Sequence, residues 1–465
     1  MQSTASLLTI ATAGIALLLL LIIKIRLQPF VALLTVSLAV GLASGLSVTQ
    51  LLGTVQKSDA VSVVESGMGG TLGHIAIIIG LGTMLGSVLE VSGGAEALSS
   101  RLLAAFGERR APLAMGLTGV VFGIPVFFDV GIFVLAPIVY AAARRSGRSV
   151  LLYALPLLAG LSMTHAFLPP HPGPVAAAGL LRADLGWVIL MGAAAGIPAV
   201  LAAWAYAAWI GERVFVPVPE DMVEAAREAK AAVAGDVAPA AAPVPLGTLL
   251  TIIGTPLVLI LLATFSSVAF DPSTGRSVVE FFGHPFVALT IALFLAYYLL
   301  GIRRGWSRQA LEKVSTASLK PVGNILLVVG AGGVFGAVLK ASGVAKALAD
   351  TFDSAGLPVI VLAWLIAVVL RVAQGSATVA IVTTAGIVAP LLPEGHYSQP
   401  QLALVIVAIS AGSIFASHVN DGGFWMVATY FGISERDTLA SWTVLESVLS
   451  VAGFGVVVCA LSAVV

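Results

Sequence analysis

One segment of the sequence occurs twice. The stretch GHIAIIIGLGTMLGSVLEVSGGAEAL begins at Gly73 and returns 250 residues later as GNILLVVGAGGVFGAVLKASGVAKAL, beginning at Gly323. Twelve of the 26 aligned positions are identical, and at an offset of 253 residues His165 aligns with His418. A duplicated, glycine-rich and apolar half is typical of secondary transporters, whose binding site forms where two related halves meet.

The composition indicates a membrane protein. Hydrophobic residues make up 59% of the chain and charged residues 10%, whereas soluble domains carry about 25% charged residues. Acidic and basic residues balance at 23 each, so the net charge does not favour nucleic acid, and the single cysteine excludes an intramolecular disulfide or a thiolate metal cluster. The apolar runs that reach or approach the length of a spanning helix are 1–23, 27–56, 149–181, 247–270, 281–302 and 447–465.

The positions of the basic residues predict how the chain is oriented in the bilayer. Their clusters all face the cytoplasm, as the positive-inside rule requires, if residues 111–143 enter and leave on the same side. That segment is interrupted near Gly123, Pro125 and Asp129, and each arm of about 15 residues is short for a crossing. We therefore expect a hairpin that dips in from the cytoplasm, and a counterpart at 357–393 that dips in from outside.

The predicted fold is an all-α polytopic membrane protein with two inverted-topology repeats. Each repeat contains a re-entrant hairpin and a broken helix, with about 10 full spans plus 2 hairpins, or 12–14 spans if the hairpins are counted. The predicted order is leading helices and an outer amphipathic stretch (1–72), the first repeat (73–211), a cytoplasmic linker with a short helix at Glu220–Val233 (212–246), connecting helices and a basic cytoplasmic loop (247–320), and the second repeat (321–465).

Four predicted interruptions of the helices mark where the chemistry must lie. Backbone that leaves the helix inside a membrane is tolerated only where protein buries it or where it lines a cavity. The helix N-termini that such interruptions expose carry partial positive charge and free N–H groups, which suit an anion. The four segments are 123–131, 164–174, 371–378 and 417–423.

Three charged residues are predicted to lie deep in the membrane, namely Asp129, Arg371 and Asp421, and all three fall in these interruptions. A charge near the bilayer centre costs roughly 2.5–3.5 kcal/mol, so each is a candidate for function. The alternative is an internal ion pair that only joins two helices. Arg371 is the expected partner of a substrate carboxylate, because its planar guanidinium donates two parallel hydrogen bonds.

Neutral polar residues in the same segments complete the predicted substrate site. They offer hydrogen bonds to a polyhydroxylated ligand, although bonds between helices are the alternative. Histidine is a possible proton carrier or metal ligand, but the spacing of His165 and His171 does not place two imidazoles on one helical face, as a metalloprotease motif does. We therefore predict neither an enzyme nor a metal site. The predicted substrate-binding residues are Thr164, His165, Arg371, Gln374, Ser376, Thr378, Asn420 and Asp421.

Asp129 is the first candidate for proton coupling. It is flanked by Phe127, Phe128 and Val130, and burial among apolar groups favours the protonated form of a carboxyl group. Asp421 is the second candidate and His165 the third.

Four stretches of sequence carry a resemblance to the gluconate permease family, within the wider ion-transporter superfamily. They are FGIPVFFDVGIFVLAPI (122–138), THAFLPPHPGP (164–174), RVAQGSATVA (371–380) and SHVNDGGFWM (417–426), and the resemblance extends over essentially the whole chain. It implies uptake of gluconate or a related aldonate with protons. The superfamily likeness further implies two inverted repeats and often a homodimer that moves its substrate by an elevator-like shift.

The sequence therefore predicts a multi-pass proton symporter for a sugar acid in the bacterial cytoplasmic (inner) membrane, without a cofactor. Two alternatives stay open. One is a sodium- or proton-coupled carrier of another small hydroxylated carboxylate or of D-serine. The other is an ion channel, which is disfavoured because a channel usually needs a continuous polar stripe, whereas the polar residues here are confined to matched interruptions.

Overall fold

The structure, a computed structural model, describes residues 3–53, 61–220, 243–320, 322–347, 351, 358–392 and 395–464. These residues form helices, and no β-strand occurs among them, which confirms the predicted all-α class. The helices are α1 (Thr4–Leu19), α2 (Pro29–Ala43), α3 (Val48–Leu52), α4 (Val63–Val91), α5 (Gly94–Phe106), α6 (Ala111–Gly123), α7 (Phe128–Ser146), α8 (Leu151–Phe167), α9 (Pro172–Leu181), α10 (Leu185–Gly211), α11 (Leu246–Ala269), α12 (Thr274–Gly283), α13 (Pro285–Ala296), α14 (Arg308–Ser318), α15 (Val322–Ala341), α16 (Val359–Gln374), α17 (Ala377–Val388), α18 (Gln399–Ser413), α19 (Gly422–Phe431), α20 (Glu435–Thr438) and α21 (Val444–Val464).

Several of these helices are long and apolar enough to cross a membrane. Among the described residues eight meet that condition, with α8 and α9 taken together, and four further apolar helices are shorter. Most of the predicted connector falls at 221–242, so the short helix expected at Glu220–Val233 lies almost wholly outside the described residues. The eight spans establish a polytopic helical protein.

Four helix interruptions occur in the regions that the sequence predicts. Break 1 (124–127) separates α6 from α7, break 2 (168–171) separates α8 from α9, break 3 (375–376) separates α16 from α17, and break 4 (414–421) separates α18 from α19. Prolines in breaks 1 and 2 cannot continue a helix, because they lack the N–H group and clash with the preceding turn. Break 3 begins with Gly375 in the left-handed conformation, which is a common helix end.

The repeated segment adopts the same local conformation in both halves. It covers most of α4 in the first half and α15 in the second, and these two helices pack against each other. The aligned Gly93 and Gly343 follow them with φ angles of 80° and 78°, a backbone region that favours glycine. The duplication seen in the sequence is therefore also present in the local structure.

The broken helices are held in the interior by the helices around them. The first broken helix, α8–α9, packs against α6 and α10, and the second, α18–α19, packs against α16, α10 and α21. The two halves also meet directly, because α17 packs against α9 and α19 packs against α7. This arrangement brings the four breaks toward one another.

Candidate functional site

The breaks of the first half contact each other and also reach the second half. The Nε2 atom of His171 lies 2.6 Å from the carbonyl oxygen of Gly123, which joins break 2 to the end of α6. The neighbouring His165 presents its Nε2 atom 3.4 Å from the Oγ1 atom of Thr378, just after break 3. Break 2 and the end of α8 therefore contact both the end of α6 and the start of α17.

Breaks 3 and 4 are joined by a buried ion pair. The Nη2 atom of Arg371 donates to Oδ2 of Asp421 at 2.5 Å, and the amide of Asn420 donates to the Val372 carbonyl at 2.7 Å. Break 4 also lies beside break 1, because Trp442 donates a hydrogen bond to Ser417 of break 4 and stacks on Phe128, which follows break 1. We call this arrangement the four-break site.

Arg371 is the buried charge at the centre of the four-break site. Its side chain is 4% exposed, and its Nη1 atom donates to the carbonyl of Gly375. The third nitrogen, Nε, is buried and has no hydrogen-bond partner among the described residues. The Nε–H group of this guanidinium is therefore available to a ligand with an acceptor oxygen.

Asp421 is fixed by donors from its own segment. Its oxygens accept hydrogen bonds from the Ser417 hydroxyl and, at 2.9 Å, from the backbone N–H of Gly423, so that Asp421 caps the N-terminus of α19. The indole N–H of Trp442 donates to the Ser417 oxygen at 2.8 Å, and the Trp442 ring stacks on Phe128 with centroids 5.4 Å apart. The hydrogen bonds to Ser417 and Gly423 thus hold the Asp421 carboxylate in place independently of its contact with Arg371.

Gly375 and Ser376 explain why break 3 forms and why it meets break 4. Gly375 ends α16 with a φ angle of 84°, and Ser376 accepts a hydrogen bond from the N–H of Val379 as the N-cap of α17. A methyl group on Gly375 would collide with the backbone carbonyl oxygen of Asn420. Only a glycine allows the two backbones to approach so closely.

Several buried polar atoms of the four-break site lack a partner among the described residues. They are Nε of Arg371, both amide atoms of Gln374 and Nδ1 of His165. Buried polar groups in proteins are normally hydrogen-bonded, to protein or to ordered water. Their concentration at the breaks therefore indicates a place for a polar ligand.

Two of the predicted site residues have a different setting from the one expected. Asp129 lies in the first turn of α7 with an exposed side chain, and the buried neighbour is Phe128. Thr164 is buried, but its hydroxyl donates to the carbonyls of Gly160 and Leu161 in its own helix. Threonine commonly bonds back to the preceding turn in this way.

The two histidines of the first half are closer together than their spacing suggested. Break 2 brings the rings of His165 and His171 to a centroid distance of 4.8 Å, although they do not share a helical face. Among the described residues no group of three His, Cys, Asp or Glu side chains could hold a metal ion. The two imidazole rings form a cluster with the ring of Phe127, whose centroid lies 6.0 Å from that of His171.

The structure also places a residue beside this site that the sequence reasoning missed. Glu446 on α21 is 1% exposed and accepts a hydrogen bond from the hydroxyl of Ser162 at 3.0 Å. The prediction of only three deep charges is therefore wrong. The signal was present, because Glu446 is a lone acid in an otherwise apolar helix, one residue before the run that was read as uncharged. Ser417 and Trp442 were missed as well.

These features define the class of protein. Interrupted helices that converge on a buried guanidinium, inside a bundle of long apolar helices, are the architecture of a membrane transporter.

Comparison with known proteins gives the family, and the chain belongs to the GntP permease family. It matches the family described as "GntP family permease" over residues 5–465. It is 44% identical over 467 residues to the inner membrane permease YgbN of Escherichia coli, with 98% of this chain and 99% of the relative covered. It is 39% identical over 453 residues to the gluconate permease of Bacillus subtilis, with 96% and 98% covered. The family predicted from the sequence is confirmed.

A solved structure supports the fold. The chain is similar to the YdaH transporter of Alcanivorax borkumensis, with a TM-score of 0.61, 17% identity, and 92% of this chain and 96% of that chain covered. Because its relatives are permeases and transporters, the protein is a multi-pass transporter of the bacterial inner membrane and not an enzyme.

Proposed function

We propose that the protein imports gluconate or a closely related sugar acid together with protons, and that the four-break site binds the substrate. The observation that carries this proposal is the buried Arg371, with an unused Nε donor, beside the unpartnered amide of Gln374. A carboxylate matches the guanidinium, and hydroxyl groups match the amide and the imidazole of His165. Relatives named as gluconate permeases point to the same class of ligand.

The geometry suggests how the carboxylate binds. The Nε and Nη2 atoms form one edge of the guanidinium, which a carboxylate can contact with both oxygens. Nε is unpartnered and Nη2 is held by Asp421, so the substrate takes Nε and replaces Asp421 at Nη2. Asp421 keeps its hydrogen bonds to Ser417 and Gly423 during this exchange.

The charges of the site favour uptake of a cation with the anion. Arg371 and Asp421 already cancel each other, so a bound sugar acid adds a buried negative charge that needs compensation. We propose that a proton supplies it. Asp129, which is exposed and close enough to repel Asp421 electrostatically, is the acid through which protons reach the site from water.

The remaining predicted residues have supporting roles in this proposal. Thr378 orients His165 through their contact at 3.4 Å, and Ser376 holds the N-terminus of α17 as its cap. Asn420, which is exposed, joins break 4 to break 3 at the mouth of the site.

We also propose that the two repeats have opposite orientations, with α6–α7 and α16–α17 as the two re-entrant hairpins. One short arm in each hairpin supports this, since α6 has 13 residues and α17 has 12. If the proposal holds, a cysteine at Ser273 labels from outside and one in the 303–320 loop labels from the cytoplasm. Labelling of both from one side would contradict the proposed topology.

An uptake screen in proteoliposomes tests the function. Labelled gluconate should accumulate when the outside is made acidic, and the accumulation should collapse with a protonophore. Unlabelled aldonates should compete, whereas the corresponding neutral sugars should not, because they lack the carboxylate that binds Arg371. Accumulation that follows a sodium gradient at constant pH would contradict proton coupling.

A further inference from the structure

Glu446 has a buried carboxyl group, and the proposed binding of the substrate carboxylate does not involve it. Its Oε2 atom accepts a hydrogen bond from the hydroxyl of Ser162 at 3.0 Å. Its Oε1 atom is buried and has no partner among the described residues. Ser162 lies on α8, one turn before His165, so this contact joins α21 to the first broken helix.

Within the described part of the chain, two charged residues surround Glu446. Arg371 and Asp421 are close enough to act on it electrostatically. Because these two form an ion pair with each other, they leave Glu446 without a counter-ion of its own. An ionised Glu446 would be a buried charge with one oxygen unsatisfied, at a cost of several kcal/mol. The neutral, protonated form fits the arrangement seen here.

The helices packed against α21 add no further charge. They are α8, α10 and α18. Their titratable side chains are Tyr153 and His165 on α8 and Tyr206 on α10, while α18 has none. The Tyr206 hydroxyl donates to the carbonyl of Ala440, away from the carboxyl group.

The two other acids of the site are less suited to hold a proton during the crossing. Asp129 lies in the first turn of α7 with an exposed side chain, so the protein does not enclose it. The oxygens of Asp421 are already occupied, because they accept hydrogen bonds from Arg371, Ser417 and Gly423. Glu446 accepts a single hydrogen bond from a described residue.

We propose that Glu446 carries the coupling proton across the membrane. The assignment rests on the proposed proton-coupled uptake and names the residue that performs it. With Glu446 protonated, Arg371 is free to bind the substrate anion. When Glu446 loses its proton to cytoplasmic water, a carboxylate appears near Arg371 and competes with the substrate for it, which promotes release. The proton moves from external water to Glu446 and then to the cytoplasm, and no bond of the substrate changes.

The variant Glu446→Gln tests this assignment, because glutamine resembles the protonated acid in shape and cannot ionise. The probe is labelled gluconate, measured in proteoliposomes by counterflow at a series of pH values equal on both sides. In the wild-type protein the half-saturation concentration should rise with pH as Glu446 ionises. In Glu446→Gln this rise should be absent, and accumulation driven by a pH gradient should fall to the level of protonophore-treated vesicles. Glu312→Gln, at an exposed position of α14, is the matched control and should behave as wild type.

Two results would overturn the assignment in different ways. If Glu446→Gln accumulates gluconate with the wild-type pH profile, Glu446 is structural while proton coupling stands. If the wild-type protein itself shows no response to a pH gradient, proton coupling fails and the assignment fails with it.

If Glu446→Gln does not fold, the variant Ser162→Ala provides a second test of the assignment. The Ser162 hydroxyl donates to the carboxyl group and so favours its ionised form. Its loss should move the rise in half-saturation concentration to higher pH. An unchanged pH profile in Ser162→Ala would also contradict the assignment.

Discussion

The two halves of the four-break site are built from different kinds of residue, although each half of the chain carries one copy of the repeated segment. Breaks 3 and 4 supply the charges Arg371 and Asp421 and a dense set of hydrogen bonds around them. Breaks 1 and 2 supply mainly rings, namely Phe127, His165 and His171, with Asp129 exposed beside them. Both halves thus have two interrupted helices with different side chains at the breaks, which fits a site where the second half binds the carboxylate and the first half gives protons access from water.

The largest expected effect comes from the charge of the second half. In Arg371→Lys the ammonium cannot contact both carboxylate oxygens in one plane, so the half-saturation concentration for gluconate should rise roughly 10- to 100-fold, as for the loss of a charged hydrogen bond. Initial uptake rates over a range of gluconate concentrations measure the change. Arg308→Lys, at an exposed position of α14, is the control. Wild-type affinity in Arg371→Lys at normal expression would assign Arg371 to structure alone.

The next effect should come from the contact between breaks 3 and 4. Gly375→Ala places a side chain in the left-handed region, at a cost of about 1–2 kcal/mol, and drives it into the Asn420 carbonyl. Gluconate uptake should fall strongly while the protein still reaches the membrane. Gly254→Ala, where an added methyl group meets nothing within 4 Å, should transport normally. Equal uptake by both variants would show that the close approach of the two breaks is not needed.

A smaller effect is expected from the exposed acid of the first half. Asp129→Asn should lower the initial rate of uptake driven by a pH gradient several-fold, and counterflow at equal pH should change less, because the residue is proposed to pass protons and not to hold the substrate. Asp271→Asn, also exposed, is the control. If both modes of transport fall equally, Asp129 belongs to substrate binding, and the proposed division between the halves is wrong.

The smallest effect should come from the residues that support Asp421. Ser417→Ala and Trp442→Phe each remove the hydrogen bond between the two side chains, and each should raise the half-saturation concentration roughly two- to tenfold. Since they act on the same bond, the double variant should lose less than the two single losses combined. Additive losses would show that Trp442 acts by another route, such as its stacking on Phe128.

Much of this site could be predicted from the sequence because its residues interrupt otherwise apolar helices. Arg371, Gln374 and Asp421 stand out for that reason, and so do the breaks themselves, which follow from proline and glycine. The exposure of Asp129 could not be predicted, because apolar neighbours in the chain do not determine which side of a helix is covered. The pairing of Arg371 with Asp421 depends on how two distant breaks meet.

Glu446 illustrates a different limit. It was overlooked because it lies outside every interruption, in a helix whose apolar run was counted from the following residue. Its relation to Ser162 spans 284 residues of sequence and appears only when α8 and α21 are seen together. A lone acid in a membrane helix is by itself a functional signal, and that rule would have found it.

The central claim is that the sugar acid and the proton bind together, and proton uptake on binding tests it most directly. Gluconate is added to the purified protein in a weakly buffered solution, at the pH where its affinity is half of the maximum, and a pH indicator reports released or absorbed protons. We expect protons to be taken up as the site fills. We also expect the affinity for gluconate to increase at lower pH, by the amount that follows from the number of protons taken up, because the two binding events are thermodynamically linked. Saturation of the site without proton uptake, with an affinity that does not change with pH, would contradict the account.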